Sequence, residues 1–226
     1  MTTTARARAT ALIEQNPGFM NVEDFANRGV NRVTIRELVS DGILANPAWG
    51  IYVGADHYAR MSSHRDWALL SFKYPDAVFC LKSAAMFHAM SQEIHGSLTF
   101  FSPRSYGDSP KMGAQFMTPM EPMVTRKEAN LRIGVESYDV DGVSIRVTSR
   151  ERTLVDFFRY SREGNEGRAI VTLEMLYDLV QRMAGDDTNF DFDKTAALAM
   201  DFGCFDQLGR VTMPFRFRSQ AIGHIS

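Results

Sequence analysis

The chain of 226 residues has only two cysteines, Cys80 and Cys204, and neither lies in a C-x-x-C pair. That excludes a disulfide scaffold and the cysteine-rich zinc modules, and leaves two buried thiols in a reducing compartment as the simplest account. Nowhere are there eighteen consecutive apolar residues, so no segment reads as a membrane-spanning helix. The opening MTTTARARAT has no apolar stretch of the kind a secretory signal needs. A soluble, cytoplasmic protein is expected. No Gly-rich phosphate loop follows a strand, and His64, His88 and His95 have no metal-ligand spacing such as H-E-x-x-H. Asp201-Phe202-Gly203 spells a kinase triplet without the remaining kinase machinery. Nor is there an excess of one charge: the net value is −2, which excludes a wholly basic nucleic-acid binder but not a local basic patch.

What is present is an ordinary globular composition, 45% hydrophobic and 23% charged, with enough chain for one large domain or two small ones. The most organised stretch is NVEDFANRGVNRVTIRELVSDGILANPAWGIYV, Asn21–Val53. Asn21 with Asp24 starts a short helix as a capping box, and Val22, Phe25 and Ala26 share a face. Gly29 makes the turn. Asn31 caps a second helix that buries Ile35, Leu38 and Val39, leaving Val33, Arg36, Glu37 and Ser40 on the opposite side, flanked by Arg32 and Thr34. Ile43–Ala45 and Gly50–Val53 then read as strands around Asn46-Pro47-Ala48-Trp49. A helix over residues 4–15, with Ala5, Ala9, Leu12 and Ile13 on one side, completes a small core.

Helix, turn, helix and hairpin is the winged-helix pattern, in which the second helix enters the DNA major groove by its first turn. That turn offers Asn31, Arg32, Val33, Thr34 and Arg36: forked donors, a hydroxyl, and an apolar group able to meet a thymine methyl. Trp49 at the wing tip joins them as a candidate groove contact, although such a residue often packs on its own hairpin. Within residues 1–36 Arg6, Arg8, Arg28, Arg32 and Arg36 face Glu14, Glu23 and Asp24, a small basic surplus. Modest affinity with strong salt dependence is the consequence.

Beyond a connector over Gly54–Met61, Ser63 with Asp66 opens a helix burying Trp67 and Leu70. Ala77–Leu81 reads as a buried strand, Ser83 as the cap of a brief helix, and Leu98–Phe101 as another strand. From Ser102 to Asn130 the pattern is broken by prolines, glycines and scattered methionines, which suits either an adaptable binding surface or a proline-bearing edge hairpin. Arg132–Val140 and Val143–Val147 form a hairpin around Asp141-Gly142. Thr148 with Glu151 caps the helix TSRERTLVDFFRY, Thr172 opens another, and Asp193–Phe202 gives a last one. Arg152 and Asp156 are four apart on one helix, an ion pair of scaffold character.

Two of these stretches, Ser83-Ala84-Ala85-Met86-Phe87-His88-Ala89-Met90 and Arg150-Glu151-Arg152-Thr153-Leu154-Val155-Asp156, resemble the "S-A-L-x-x-H-G-L" and "E-R-T-L-V-D" segments of AbiEi-type antitoxins. Ala85 stands where that family has leucine and Ala89 where it has glycine. The G-I-Y-V strand is similar to its "G-x-Y" wing, and the resemblance covers residues from about 4 to 185. It implies an α+β protein, with a winged helix-turn-helix domain over residues 1–56 and a mixed α/β antitoxin domain over 62–226. It further implies an autorepressor that binds inverted repeats in double-stranded promoter DNA. Such a protein counteracts a nucleotidyltransferase-type toxin without a stable complex.

The expectation is therefore a non-enzymatic, monomeric DNA-binding antitoxin with no cofactor, metal or membrane partner. Residues 102–130 and the basic tail Arg210–Arg218 are its candidate toxin-facing surfaces. The alternatives are a protein-interaction module with a non-DNA-binding winged helix, and a metal-dependent nuclease using Glu136, Asp139 and Asp141.

Overall fold

In the computed structural model of the chain, which describes residues 4–91, 96–103, 118–160, 191–206 and 208–209, local capping chemistry decides where many helices begin. The chain divides into two compact units. One is built from the residues up to Ala77 and includes the hairpin segment Ser137–Ile145; the other begins at Val78.

In the first unit Thr4 caps α1 (Ala5–Gln15), its hydroxyl accepting from Ala7 N at 3.2 Å. After β1 (Met20–Asn21), α2 (Val22–Ala26) starts on a reciprocal capping box: Asn21 Oδ1 accepts from Asp24 N, and Asp24 Oδ2 accepts from Asn21 N at 2.7 Å. Asn31 caps α3 (Arg32–Ser40) by accepting from Thr34 N at 2.9 Å. A hydroxyl or amide cap of this kind contributes about 1 kcal/mol.

The apolar spacing of these helices puts Ala9, Leu12, Phe25, Ile35 and Leu38 into one core with Met20, Val30 and Leu44. Below it lies a three-stranded antiparallel sheet, order β1-β3-β2, from β2 (Leu44–Ala48) and β3 (Ile51–Gly54), with Met20 opposite Tyr52 and Leu44 opposite Gly54. The register shifts between Ala45 and Ala48. The segment that reads from sequence as a connector is instead a helix, α4 (Ala55–Arg60); it buries no residue and has no side-chain cap, so it leaves no periodic signature. Helix α5 (Arg65–Lys73) buries Trp67 and Leu70.

The second unit holds most of a mixed five-stranded sheet, order β6-β5-β4-β8-β7, whose hairpin segment Ser137–Ile145 is counted with the first. Its members are β4 (Val78–Phe79), β5 (Leu98–Ser102), β6 (Met120–Val124), β7 (Val135–Val140) and β8 (Val143–Thr148). Strand β4 runs antiparallel to β5 through Val78 and Phe101 and parallel to β8 through Phe79 and Val147. Asp141 and Gly142 both take positive φ, 52° and 78°, as a two-residue primed hairpin turn requires. Helices α6 (Leu81–Phe87), α7 (Glu128–Arg132), α8 (Arg150–Tyr160) and α9 (Phe192–Asp201) belong to this unit. Leu81, Leu154, Val155, Phe157 and Leu198 meet Val78 and Phe101 in its core.

Three caps differ from the sequence reading. Helix α5 starts from His64 with no side-chain cap, not on Ser63 with Asp66. Ser83 lies inside α6 with its hydroxyl accepting from Thr99 N at 2.7 Å, and Ser149, not Thr148, accepts from Arg152 N at 3.2 Å to start α8. Thr148 is the last residue of β8, its hydroxyl 2.8 Å from that of Thr153.

Helices α2, α3, α6 and α9 end alike. In each, a residue with positive φ is followed by one whose N–H returns to the carbonyl five residues earlier: Val30 to Phe25, Ile43 to Leu38, Met90 to Ala85, Cys204 to Ala199. The left-handed residue is Gly29, Gly42 and Gly203 in three of them and Ala89, at φ 55°, in the fourth. The fold is thus α+β. The helix expected from Thr172, residues 104–117 of the 102–130 stretch and the tail from Arg210 lie outside the described residues.

Candidate nucleic-acid interface

Helix α3 presents the surface singled out by its sequence. Ile35, Leu38 and Thr34 are buried beneath it, while Arg32, Val33, Arg36, Glu37 and Ser40 are exposed. Among the described residues Arg32 and Arg36 have no ion pair and no side-chain hydrogen bond; the same holds for Arg28, exposed four residues ahead of Arg32 in the turn. Only its spacing marks Arg28 in the sequence as part of this row. The other early arginines are engaged. Arg6 Nη2 lies 2.7 Å from Asp41 Oδ2 at the end of α3, and Arg8 Nη2 donates to the Gly29 carbonyl at 2.9 Å.

Of the remaining expected contact residues, Asn31 and Thr34 are committed to the cap. Asn31 Oδ1 accepts from both the amide and the hydroxyl of Thr34, and Thr34 is only 8% exposed, so its hydroxyl is turned into the unit instead of joining the outer face. Trp49, by contrast, is 76% exposed at the β2–β3 tip. The tip is braced by Asn46 Nδ2, which donates to the carbonyls of Ala48 at 2.8 Å and Ile51 at 2.7 Å, and by Gly50 at φ 75°.

The acids considered for metal chemistry have structural partners. Glu136 meets Lys194 at 3.3 Å, Asp139 accepts from Gly142 N at 3.2 Å, and Asp141 accepts from the amide and hydroxyl of Ser62 at 3.0 and 2.9 Å. Among the described residues no three His, Cys, Asp or Glu side chains are grouped so as to hold a metal.

Of the stretches that carry the resemblance, Ser83, Ala84, Ala85, Met90 and 151–156 are buried in the second unit. His88 Nε2 donates to the Thr148 carbonyl at 2.8 Å; burial pushes its pKa below the usual 6.5, more than that bond raises it. Arg152 and Asp156 are fully buried, with Arg152 Nε donating to Asp156 Oδ1 at 3.0 Å. Arg159 Nη1 donates to the same oxygen at 2.6 Å, and its Nη2 to Asn130 Oδ1 at 3.0 Å. Arg152 also donates to the Ile133 carbonyl. Both guanidiniums lie over the Phe202 ring, at 3.8 and 4.1 Å from its centre. Burial outweighs the two arginines and raises the Asp156 pKa. Gly134 makes room for this cluster, since a Cβ there would come within 2.9 Å of Arg152 Cβ.

No protein-family model matches the chain, and no curated protein does. Among solved structures it is similar to the RV2827C protein from Mycobacterium tuberculosis, with a TM-score of 0.48 and 17% identity over 88% of this chain and 72% of that one. No helix among the described residues is long and apolar enough to cross a membrane.

Proposed function

We propose that the chain is an antitoxin-type transcriptional repressor whose N-terminal unit is a winged helix-turn-helix that binds duplex DNA through α3. The observation that carries the DNA half is the condition of Arg32 and Arg36. They project from one face of α3 with no ion pair among the described residues, while Arg6 and Arg8 of the same unit hold Asp41 and the Gly29 carbonyl. An unneutralised guanidinium is a forked donor suited to phosphate oxygens and to the O6/N7 edge of guanine. The β2–β3 hairpin takes the place of the wing.

The test is a fluorescence-anisotropy titration of the full chain against DNA from upstream of its own coding sequence, with unrelated DNA as competitor, at several salt concentrations. Wild-type protein is expected to prefer the upstream DNA and to weaken as salt rises. The Arg32→Ala/Arg36→Ala variant should lose about 1–3 kcal/mol per contact. Equal binding of both DNAs, or an unchanged variant, overturns the proposal.

The antitoxin half rests on the resemblance of Ser83–Met90 and Arg150–Asp156 to AbiEi-type antitoxins. Its partner is a nucleotidyltransferase-type toxin that need not form a stable complex. Under this division of labour the same double variant, expressed beside such a toxin, loses promoter repression and still rescues growth. Loss of both in a folded protein would refute it.

A further inference from the structure

We infer that Val33 is a base-reading residue, its side chain packing on the 5-methyl group of a thymine in the major groove. This rests on the DNA-binding role proposed for α3 and names what that helix reads besides charge.

The helix geometry places the residue. At about 100° per residue, the buried residues Thr34, Ile35 and Leu38 span one side of α3. The direction opposite their mean falls between Arg36 and Ser40, with Arg32 beyond Arg36 on one flank and Val33, then Glu37, beyond Ser40 on the other. Val33 is therefore not a boundary residue that half-packs against the core. It stands on the outer face, within about 35° of its centre, and is 58% exposed.

Folding gives no reason for valine at that place. A β-branched side chain loses rotamer freedom in a helix and is a poorer helix former than alanine, lysine or glutamate. Exposed there, it gains nothing from burial in the free protein. The other short side chain in the first turn, Thr34, is withdrawn into the cap. That leaves Val33 as the apolar group of an outer face whose other members carry charge or a hydroxyl.

Flanking guanidiniums make an acidic polymer the fitting occupant, and among the bases in a major groove only thymine presents a methyl group. A methyl of valine against a methyl of thymine removes apolar surface from water on both sides and needs no hydrogen-bond geometry. The recognised site should thus contain a thymine beside the purine that Arg32 or Arg36 contacts.

The experiment selects duplexes from a randomised pool with the full-length protein, then replaces each thymine of a selected site singly with deoxyuridine, which deletes only the methyl. Wild-type protein and Val33→Ala are titrated against each duplex. At one thymine, the wild type should bind the uracil duplex about fourfold more weakly, while Val33→Ala should bind the two alike. Because Val33 is exposed, the variant should keep the wild-type unfolding midpoint. Indifference to uracil at every position, or equal sensitivity of the two proteins, overturns the inference and leaves DNA binding by α3 standing. If no selective duplex emerges, the DNA role falls and this inference with it; the face would then belong to a protein partner.

Discussion

Arg32 and Arg36 on α3, and Arg152 and Arg159 on α8, are the same side chain in opposite circumstances. The first pair is exposed and makes no ion pair among the described residues. In the second, Arg152 is fully buried and Arg159 nearly so; both donate to one carboxylate oxygen and stack on one phenyl ring. Neither pair can be told from the other by composition or by amphipathic pattern, since both lie on amphipathic helices. The neighbour one helical turn further along makes the difference. Asp156 stands one turn after Arg152, whereas the residue one turn after Arg32 is Arg36. Arg152 has a carboxylate on its own face and is buried in the fold; Arg32 has another arginine there and stays exposed.

Breaking the buried side should have the largest effect. Asp156→Ala leaves two desolvated guanidiniums without their counter-charge, and about 3–5 kcal/mol of stability should be lost in a denaturant titration. A loss below about 1 kcal/mol would mean that Asn130 and the Ile133 carbonyl suffice. Next comes the start of α3: Asn31→Ala removes the acceptor for Thr34 N and Thr34 Oγ1 and should cost about 1 kcal/mol. Near the same size but opposite in sign, Ala89→Gly should stabilise the chain by about 1 kcal/mol, because it relieves a left-handed alanine at the end of α6. Smallest of all on stability is Arg32→Ala/Arg36→Ala. Thermal or denaturant unfolding should stay within about 0.5 kcal/mol of wild type while DNA affinity collapses. Comparable destabilisation by this variant and by Asp156→Ala would erase the contrast between the two pairs.

Local chemistry makes much of this readable. The Asn21/Asp24 capping box, the Asn31 cap, the Asp141-Gly142 turn and the apolar faces of α1 and α5 are all short-range features, and the structure has them close to where the sequence places them. The unreadable features depend on partners distant in sequence. Ser83 has the chemistry of a cap, but Thr99, sixteen residues on, takes its hydroxyl instead. Helix α4 has no buried stripe to announce it. Strand β6 is legible only as one of two alternatives, a proline-bearing edge strand, because Pro122 interrupts its pattern; it lies at the edge of the sheet, where a missing N–H is tolerated. On α3 the sequence reading has Thr34 flanking the outward face; it is buried one turn before Leu38, its hydroxyl on the Asn31 cap. The family-like segments are legible as motifs, but their fully buried Ser83, Arg152 and Asp156 mark how the second unit is held together rather than what it touches.

The two arginines of α1 tie down both ends of α3, Arg8 through the Gly29 carbonyl before it and Arg6 through Asp41 after it. Each contact is at the surface and worth little by itself. Together they fix the pitch and roll of a nine-residue helix within its unit before any ligand arrives. A pre-organised helix loses less conformational entropy on association, so more of each side-chain contact reaches the measured affinity. On the role proposed for α3, association would need a search over positions along the DNA, not over orientations of the helix within its own unit.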